Sequence, residues 1–439
     1  MSVKVCKFGG TSMADGTVIN GVKKILDGDD KRKYIVVSAP GKRYSGDTKV
    51  TDLLYACHTQ LLSCGTCKKS FAAVRARFVS IVKELNISYD IDALLDETEA
   101  AIDREKSEDF TASRGEYLCA RIVAAVLDAK FIDAEDVIFF KENGSFDGEK
   151  SYKAISLAVS GAKRAVFPGF YGKGVDGKVK TFSRGGSDIS GSIVARAINA
   201  TVYENWTDVS GFLACDPRIV ESPAKIKSLS YKELRELSYM GANVLHSDSI
   251  FPLRKANIPI QIKNTFRPED AGTAILPSIR YTPNGNLVTG IAGKKNFTVI
   301  FIEKSHMNAE VGFICKVLGV LADEEISVEH IPSGIDTMSL VVESANLPKE
   351  KLELILEKIK ATVAPDIIRV IDDIALIATV GHGMSSSVGT SARLFNAIAN
   401  ANINIKLIDQ GSSELNIIVG VNNEDYEKCI RAIYCEFFK

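Results

Sequence analysis

The stretch Val3-Lys4-Val5-Cys6-Lys7-Phe8-Gly9-Gly10-Thr11-Ser12 reads as a short strand, residues 3–6, running into a paired-glycine turn, with a helix predicted over residues 15–26 behind it. Two glycines at a strand-to-helix turn let the backbone approach a ligand closely, and N–H groups at a helix start favour anions such as phosphate. Lys7 adds a flexible point charge able to follow a phosphoryl group through transfer. The turn is neither a Walker A loop nor a GxGxxG fingerprint, so alone it fits a solvated lysine on a tight turn equally well. The rest of the chain has to decide.

Outward from this turn, short apolar runs (residues 34–38 and 165–167) alternate with longer amphipathic stretches (residues 70–84 and 116–127). Such alternation predicts an α/β domain around a largely parallel sheet with helices on both faces. The 439 residues, 46% of them hydrophobic, allow more than one core. With 54 basic against 55 acidic side chains there is no electrostatic footprint for nucleic acid or an acidic membrane, and a small-molecule partner is favoured. No apolar run approaches the ~18–20 residues of a membrane span, and the first residues carry no export signal, so a soluble, cytoplasmic protein is expected. Nine scattered cysteines fit reduced thiols. Cys64 and Cys67 form a lone CxxC, placed here on a helix. Neither a second such pair nor any ligand spacing among the five histidines completes a metal site.

Two further motifs repeat the design. Phe182-Ser183-Arg184-Gly185-Gly186-Ser187-Asp188 precedes a helical stretch at residues 189–198, where Arg184 offers a planar fork for a carboxylate or phosphate; a plain helix N-cap is the simpler reading. A strand-like run at residues 201–206 leads into Thr207 and Asp208, where ligands bind in open α/β sheets, and then into Asp216-Pro217-Arg218, equally explicable as turn chemistry.

The C-terminal third repeats itself. Residues 311–343 align without a gap on residues 388–420, an offset of 77, with Gly312 on Gly389 and Gly334 on Gly411. Val317, Leu318 and Leu321 match Leu394, Phe395 and Ile398 at helical spacing, while Ile326 and Val328 match Ile403 and Ile405 at strand spacing. Each copy reads strand, helix, strand, strand, helix. A Pro-, Asn- and Gly-rich stretch at residues 276–290 marks the boundary before the repeat. The Gly381-His382-Gly383 turn suggests a dinucleotide site, but the third glycine is missing, too little chain follows for such a fold, and the repeat accounts for it.

Taken together, the motifs resemble the aspartokinases of the amino-acid kinase family: KFGGTS at residues 7–12, KVTDLL at 49–54, SRGE at 113–116, SRGGSD at 183–188, WTDVSG and DPR. The repeat resembles the paired ACT modules that follow the kinase domain there. The resemblance implies a kinase domain over residues 1–280, a first ferredoxin-like α+β module over 296–366 and a second over 374–439, completed by a strand from 287–293. It implies phosphorylation of the β-carboxylate of L-aspartate by ATP with Mg²⁺, at the head of the lysine, threonine and methionine pathway. A carboxylate acceptor is ionised at neutral pH and needs no general base, which suits the absence of a persuasive catalytic histidine.

The family pattern puts Lys7, Gly9 and Gly10 on the phosphates and makes Lys7 and Asp188 the catalytic pair. Ser38 and Thr51 would line the acceptor pocket, Glu116 would meet the α-ammonium of aspartate, and Arg184 with Ser187 would hold its carboxylates. Thr207, Asp208 and Arg218 would hold ATP. An effector, lysine or else threonine, would lie against Met307, Val311, Gly312, Phe313, Ser327, Val328 and Glu329. A homodimer or a dimer of dimers is expected. The alternatives are another small-acid kinase of the same fold and a catalytically decayed amino-acid sensor, the latter prompted by one departure. Where relatives read GAKVLHP, this chain has Asn243 in place of the lysine and Ser247 in place of the proline. A neutral amide cannot replace a phosphate-binding cation. Asn243→Lys is therefore expected to lower the KM for ATP in steady-state assays, whereas a level or higher KM would show a site already complete.

Overall fold

The computed structural model describes residues 2–183, 185–242, 245, 250–278 and 287–439. Arg184 and Asn243 lie outside the described residues. The chain forms two compact units: Met1–Phe212 with Lys227–Tyr231 and Asn243–Ser278, and Leu213–Ile226 with Lys232–Ala242 and Ile279–Lys439. Residues 213–226 and 232–242 thus group with the C-terminal unit.

The first unit holds strands β1 (Lys4–Phe8), β2 (Arg32–Val37), β3 (Lys130–Phe131), β4 (Ala165–Pro168), β5 (Tyr171–Lys173), β6 (Val179–Thr181), β7 (Val202–Thr207), β8 (Ser228–Ser230), β9 (Ile260–Asn264) and β10 (Thr273–Leu276). Eight of them form one sheet in the order β3-β4-β2-β1-β7-β9-β10-β8, while β5 and β6 pair as a separate hairpin. Neighbours from β3 to β9 run parallel, and β10 is antiparallel to β9. Parallel neighbours need crossovers, and the helix Gly16–Asp27 supplies the one from β1 to β2. Asp15 starts it by accepting the Val18 N–H at 2.8 Å, and Ile19, Val22, Ile25 and Leu26 fill its buried face. Between the paired glycines and this helix sits a short 3₁₀ turn, Gly10–Met13, which the sequence did not reveal.

Four helices follow β2: Val50–Cys64, Lys68–Leu85, Ile91–Glu105 and Glu108–Val126. Cys64 ends the first and Cys67 caps the second, so the CxxC spans a turn and not a helix; the left-handed Gly65 (φ 79°) breaks the helix between them. Cys64 is exposed and Cys67 buried, both as free thiols.

At the sheet centre, Cys6, Phe8, Glu204 and Trp206 share one face of β1 and β7. Glu204, 3% exposed, accepts from Lys4 Nζ (2.8 Å), Arg32 Nε (2.8 Å) and Trp206 Nε1 (3.0 Å). The Arg32 guanidinium lies 5.1 Å from the Trp206 ring centre, and Phe8 stacks on that ring at 5.8 Å. A carboxylate here is tolerable only because its oxygens are paired.

The second unit is built on β11 (Gly290–Glu303), β12 (Thr337–Glu343), β13 (Ile367–Val380), β14 (Leu407–Asp409) and β15 (Asn416–Asn422), an antiparallel sheet in the order β12-β11-β13-β15-β14. The helices Phe313–Asp323 and Thr390–Asn400 stand 77 residues apart (390 minus 313), each entered through a left-handed glycine, Gly312 or Gly389. Two details of the repeat differ from the sequence reading. β15 begins 79 residues after β12 (416 minus 337), so the gap-free alignment breaks before the last strand. Ile326, Val328, Ile403 and Ile405 precede the pairing segments and do not form them. In the first copy only isolated pairs form, His330 with Val341 and Ser333 with Met338, because Pro332 between them has no N–H for a ladder. Both long strands turn through a left-handed residue, Asn296 in β11 and Asp373 in β13, again 77 apart (373 minus 296).

Burial pushes the Glu204 carboxyl up, but the hydrogen bonds from Arg32 and Lys4 outweigh it and hold the group below its ordinary value. Its stabilisation is therefore present above the unfolded carboxyl pKa and lost as pH falls through the lower folded value. Glu204→Gln is expected to cost about 3 kcal/mol near neutral pH. Urea unfolding followed by the emission of Trp206, the sole tryptophan, reads that loss directly.

Candidate active site

Lys7 projects from β1 on the face opposite Glu204, toward the helix Gly186–Ala197. Its Nζ stands 2.6 Å from Asp188 Oδ1, and Asn205 Nδ2 donates to the same oxygen at 3.0 Å. Both members are shielded, with side chains 8% and 17% exposed. One residue back on the helix, Ser187 Oγ accepts from Ser38 Oγ at 2.7 Å, which ties the end of β2 to the helix start. That helix begins at a left-handed Gly185 (φ 59°).

The first glycine turn is held by backbone bonds: Gly9 N–H to Trp206 O (3.0 Å), Ser38 N–H to Phe8 O (3.1 Å) and Gly41 N–H to Gly10 O (2.8 Å). Gly9 thus uses its N–H inside the sheet, and the donors left for an anion are those of Gly10 and Thr11. A side chain at position 41 would stand 2.7 Å from the Gly10 carbonyl carbon, so two loops meet there at backbone distance.

Beside this turn opens a cavity of about 500 Å³ lined by Gly10, Thr11, Ser38, Thr51, Glu116 and Asp208, together with Lys42, Tyr44 and Lys49 of the loop after β2. It lies past the carboxyl ends of β1, β2 and β7, the position at which open α/β sheets bind ligands. Asp208 receives the hydroxyls of Thr207 (3.2 Å) and Thr11 (3.4 Å) and has no cationic partner among the described residues.

Glu116 comes from the helix Glu108–Val126, where Gly115 lets the backbone press on Ala39; a Cβ there would stand 2.7 Å from Ala39 Cβ. The Glu116 carboxyl is 6% exposed, and its Oε2 has no hydrogen-bond partner among the described residues. Burial pushes it up to about 8, against the opposing pull of the Ala39 N–H and of Lys7. A buried, half-satisfied carboxyl with a raised pKa at a cavity wall marks a candidate functional group.

The structure therefore gathers Lys7, Gly10, Ser38, Thr51, Glu116, Ser187, Asp188, Thr207 and Asp208 around one cleft, with Gly9 behind it. Arg218 belongs to the second unit, is 88% exposed, and pairs with Asp216 at 2.6 Å. Asn205 and the loop residues Lys42, Tyr44 and Ser45 were missed. Asn205 was legible as the residue two before Thr207, on the same strand face. The loop was legible from its place at the carboxyl end of β2.

In the second unit, Met307 and Phe313 sit in the core of the first copy with Val328 packed against it, whereas Val311 is 95% exposed and Ser327 is exposed. Gly312 is left-handed (φ 81°) at the helix start. Glu329 is half-buried, and burial, then the charge of Glu343, raises its carboxyl.

The fold is an α/β unit with a cleft at the carboxyl ends of its parallel strands, and a duplicated α+β module builds the second unit. The family model described as "Amino acid kinase family" matches residues 2–264, and one described as "ACT domain" matches residues 377–437. Aspartokinase 3 of Bacillus subtilis is 38% identical over 450 residues, spanning 99% of both chains. The crystal structure of Clostridium acetobutylicum aspartate kinase superposes with a TM-score of 0.91 at 50% identity over all of both chains. Escherichia coli aspartokinase III, in a complex with lysine and aspartate described as its T-state, superposes at 0.74 with 25% identity over all of both chains. The chain belongs to the aspartokinases of the amino acid kinase family. Among the described residues no helix is long and apolar enough to cross a membrane.

The raised Glu116 carboxyl has a stability consequence in the ligand-free protein. A folded value near 8 against an unfolded value near 4.5 means the native state holds the extra proton in between, so stability falls as pH rises through that window. The wild type is expected to lose roughly 4 kcal/mol from pH 4.5 to 9 through this group. Denaturation curves of Glu116→Gln should lack that part of the slope.

Proposed function

We propose that this protein transfers the γ-phosphoryl group of ATP to the β-carboxylate of L-aspartate, giving 4-phospho-L-aspartate and ADP, under feedback control through its duplicated module. The observation that carries this reading is the single cleft holding a shielded Lys7–Asp188 pair and a buried carboxyl, Glu116, that lacks a partner on one oxygen. An aspartate side-chain oxygen attacks the γ-phosphorus, the bond to the β,γ-bridging oxygen breaks, and the electron pair leaves on ADP. The acceptor is already an anion, so the enzyme's task is positioning and charge neutralisation.

In this reading the Gly10 and Thr11 N–H groups receive phosphate oxygens. Lys7 moves its charge from Asp188 toward the transferring phosphoryl, and Asp188 with Asn205 keeps the ammonium aimed. Glu116 receives the α-ammonium of aspartate, while Ser38, Thr51 and Ser187 line the acceptor side. Arg184 supplies the fork for the substrate carboxylates. Thr207 borders the nucleotide side with Asp208. Mg²⁺ is commonly held by one or two carboxylates plus substrate phosphates, and Asp208, which has no cationic partner among the described residues, is the wall carboxylate suited to it. The ion would draw charge from the phosphates.

For regulation, Glu329 is the carboxylate suited to an effector ammonium, beside Met307, Gly312, Phe313 and Val328, with Val311 and Ser327 at the rim. Lysine is the first candidate effector and threonine the second. E. coli aspartokinase III has been crystallised with lysine and aspartate. Inhibition requires the effector to bind one arrangement of the protein more tightly than another.

Hydroxylamine trapping is expected to yield aspartyl hydroxamate only with aspartate and ATP together, and less of it with lysine added; no hydroxamate would overturn the assignment. Aspartate binding converts Glu116 from acid to carboxylate. Calorimetry in buffers of differing ionisation enthalpy should show about one proton released per aspartate at pH 7 and almost none well above pH 8.

A further inference from the structure

The outer wall of the cleft is the loop from residue 38 to 49, and most of its middle, residues 42–46, is exposed. Its two ends are held by one guanidinium. Arg77, from the helix Lys68–Leu85 and 5% exposed, donates through Nη1 to Gly41 O (3.0 Å) and through Nη2 to Asp47 Oδ2 (2.7 Å) and Thr48 O (3.1 Å). Asp47, itself buried, accepts from the Arg43 N–H (3.0 Å), Nε (2.9 Å) and Nη2 (3.2 Å). Hydrogen bonds from Arg43, with the charge of Arg77, hold the Asp47 carboxyl well below its ordinary range, so the pair stays charged. Residues 41, 43, 47 and 48 are therefore fixed, and Lys42 stands between two fixed neighbours.

Lys42 lines the cavity and has no ion pair among the described residues. Gly41, immediately before it, is bonded to Gly10 of the first glycine turn at 2.8 Å, so the clamp is continuous with the phosphate side of the cleft. A buried ion pair is a weak way to gain stability, since apolar residues of similar volume often do as well, but it fixes geometry closely. We propose that Arg77 and Asp47 are positioning residues that hold Lys42 on the phosphate side, where Lys42 binds the triphosphate of the nucleotide as a second cation beside Lys7. This rests on the cleft being the nucleotide and aspartate site.

The test is a double-variant cycle on the full chain, with KM for ATP, KM for aspartate and kcat measured separately. Lys42→Met is expected to raise the KM for ATP about tenfold while changing the KM for aspartate less than about twofold. Arg77→Lys keeps the charge but loses the fork, and it should raise the KM for ATP similarly although Lys42 is intact. The double variant should be no worse than Lys42→Met alone, because the two act through one contact. Lys42→Arg should restore a near-native KM. Should Arg77→Lys fail to fold, Asp47→Asn replaces it in the cycle with the same expectation. Multiplying effects in the double variant, or an unchanged KM for ATP in Lys42→Met, would overturn the proposal. Loss of hydroxamate in Lys7→Met keeps the cleft assignment standing whichever way the Lys42 result falls, while full turnover in Lys7→Met would remove the cleft assignment itself.

Discussion

An ammonium shut into the centre of a sheet has to be matched by a carboxylate, and the Lys7–Asp188 contact at 2.6 Å is that match. It fixes more than one charge. Lys7 belongs to the central strand, Asp188 to a helix start that follows a left-handed glycine, and Asn205 to the adjacent strand, so one oxygen of Asp188 joins three elements. On the reverse face of the same two strands, Glu204 does the complementary job with Lys4 and Arg32. The sheet centre is thus pinned from both sides by opposite arrangements. Among the described residues Lys7 has one acidic partner, which in the proposed reaction it exchanges for phosphate, whereas Glu204 has two cationic partners.

The same economy separates residues that act from residues that hold. Glu116 is buried with an unfilled oxygen, whereas Asp47 is buried with every bond accounted for by Arg43 and Arg77. Burial alone would mark both as unusual. Of the two, Glu116 alone lines the cavity, with an oxygen unpartnered among the described residues, and that contrast underlies the binding role proposed for it and the fastening role proposed for Asp47.

Much of this was legible in the sequence. The glycine turns at 9–10 and 185–186 and the alternation of apolar runs with helical stretches led to the parallel sheet, and Lys7, Ser38, Thr51, Glu116, Ser187, Asp188 and Asp208 do converge in the structure. Local pattern carried that far because strand ends in such sheets point to one place. It failed where partners are remote in sequence. The Arg77 guanidinium inside an ordinary amphipathic helix gives no sign that it grips a loop thirty residues earlier, as its bond to Asp47 shows. Spacing likewise gave no sign of the ion pair that Arg218 makes with Asp216 on its own turn. In the repeat, the helices were read in register, but a proline that silences one strand and a two-residue shift before another are tertiary outcomes.

The bent strands of the second unit carry their own implication. The first part of β11, residues 290–294, pairs with the last part of β13, residues 376–380, and the last part of β11, residues 297–303, pairs with the first part of β13, residues 367–374. Residues 290–294 precede the first copy yet pair inside the second, so the second copy is completed by a strand from the far side of the first. The second copy cut free of residues 290–294 would carry a bare ribbon edge wanting a twin, the condition in which polypeptides exchange segments. Melting, small-ligand capture or mechanical strain in one copy must accordingly be felt across the shared ladder, and the pair can be expected to behave as one cooperative body.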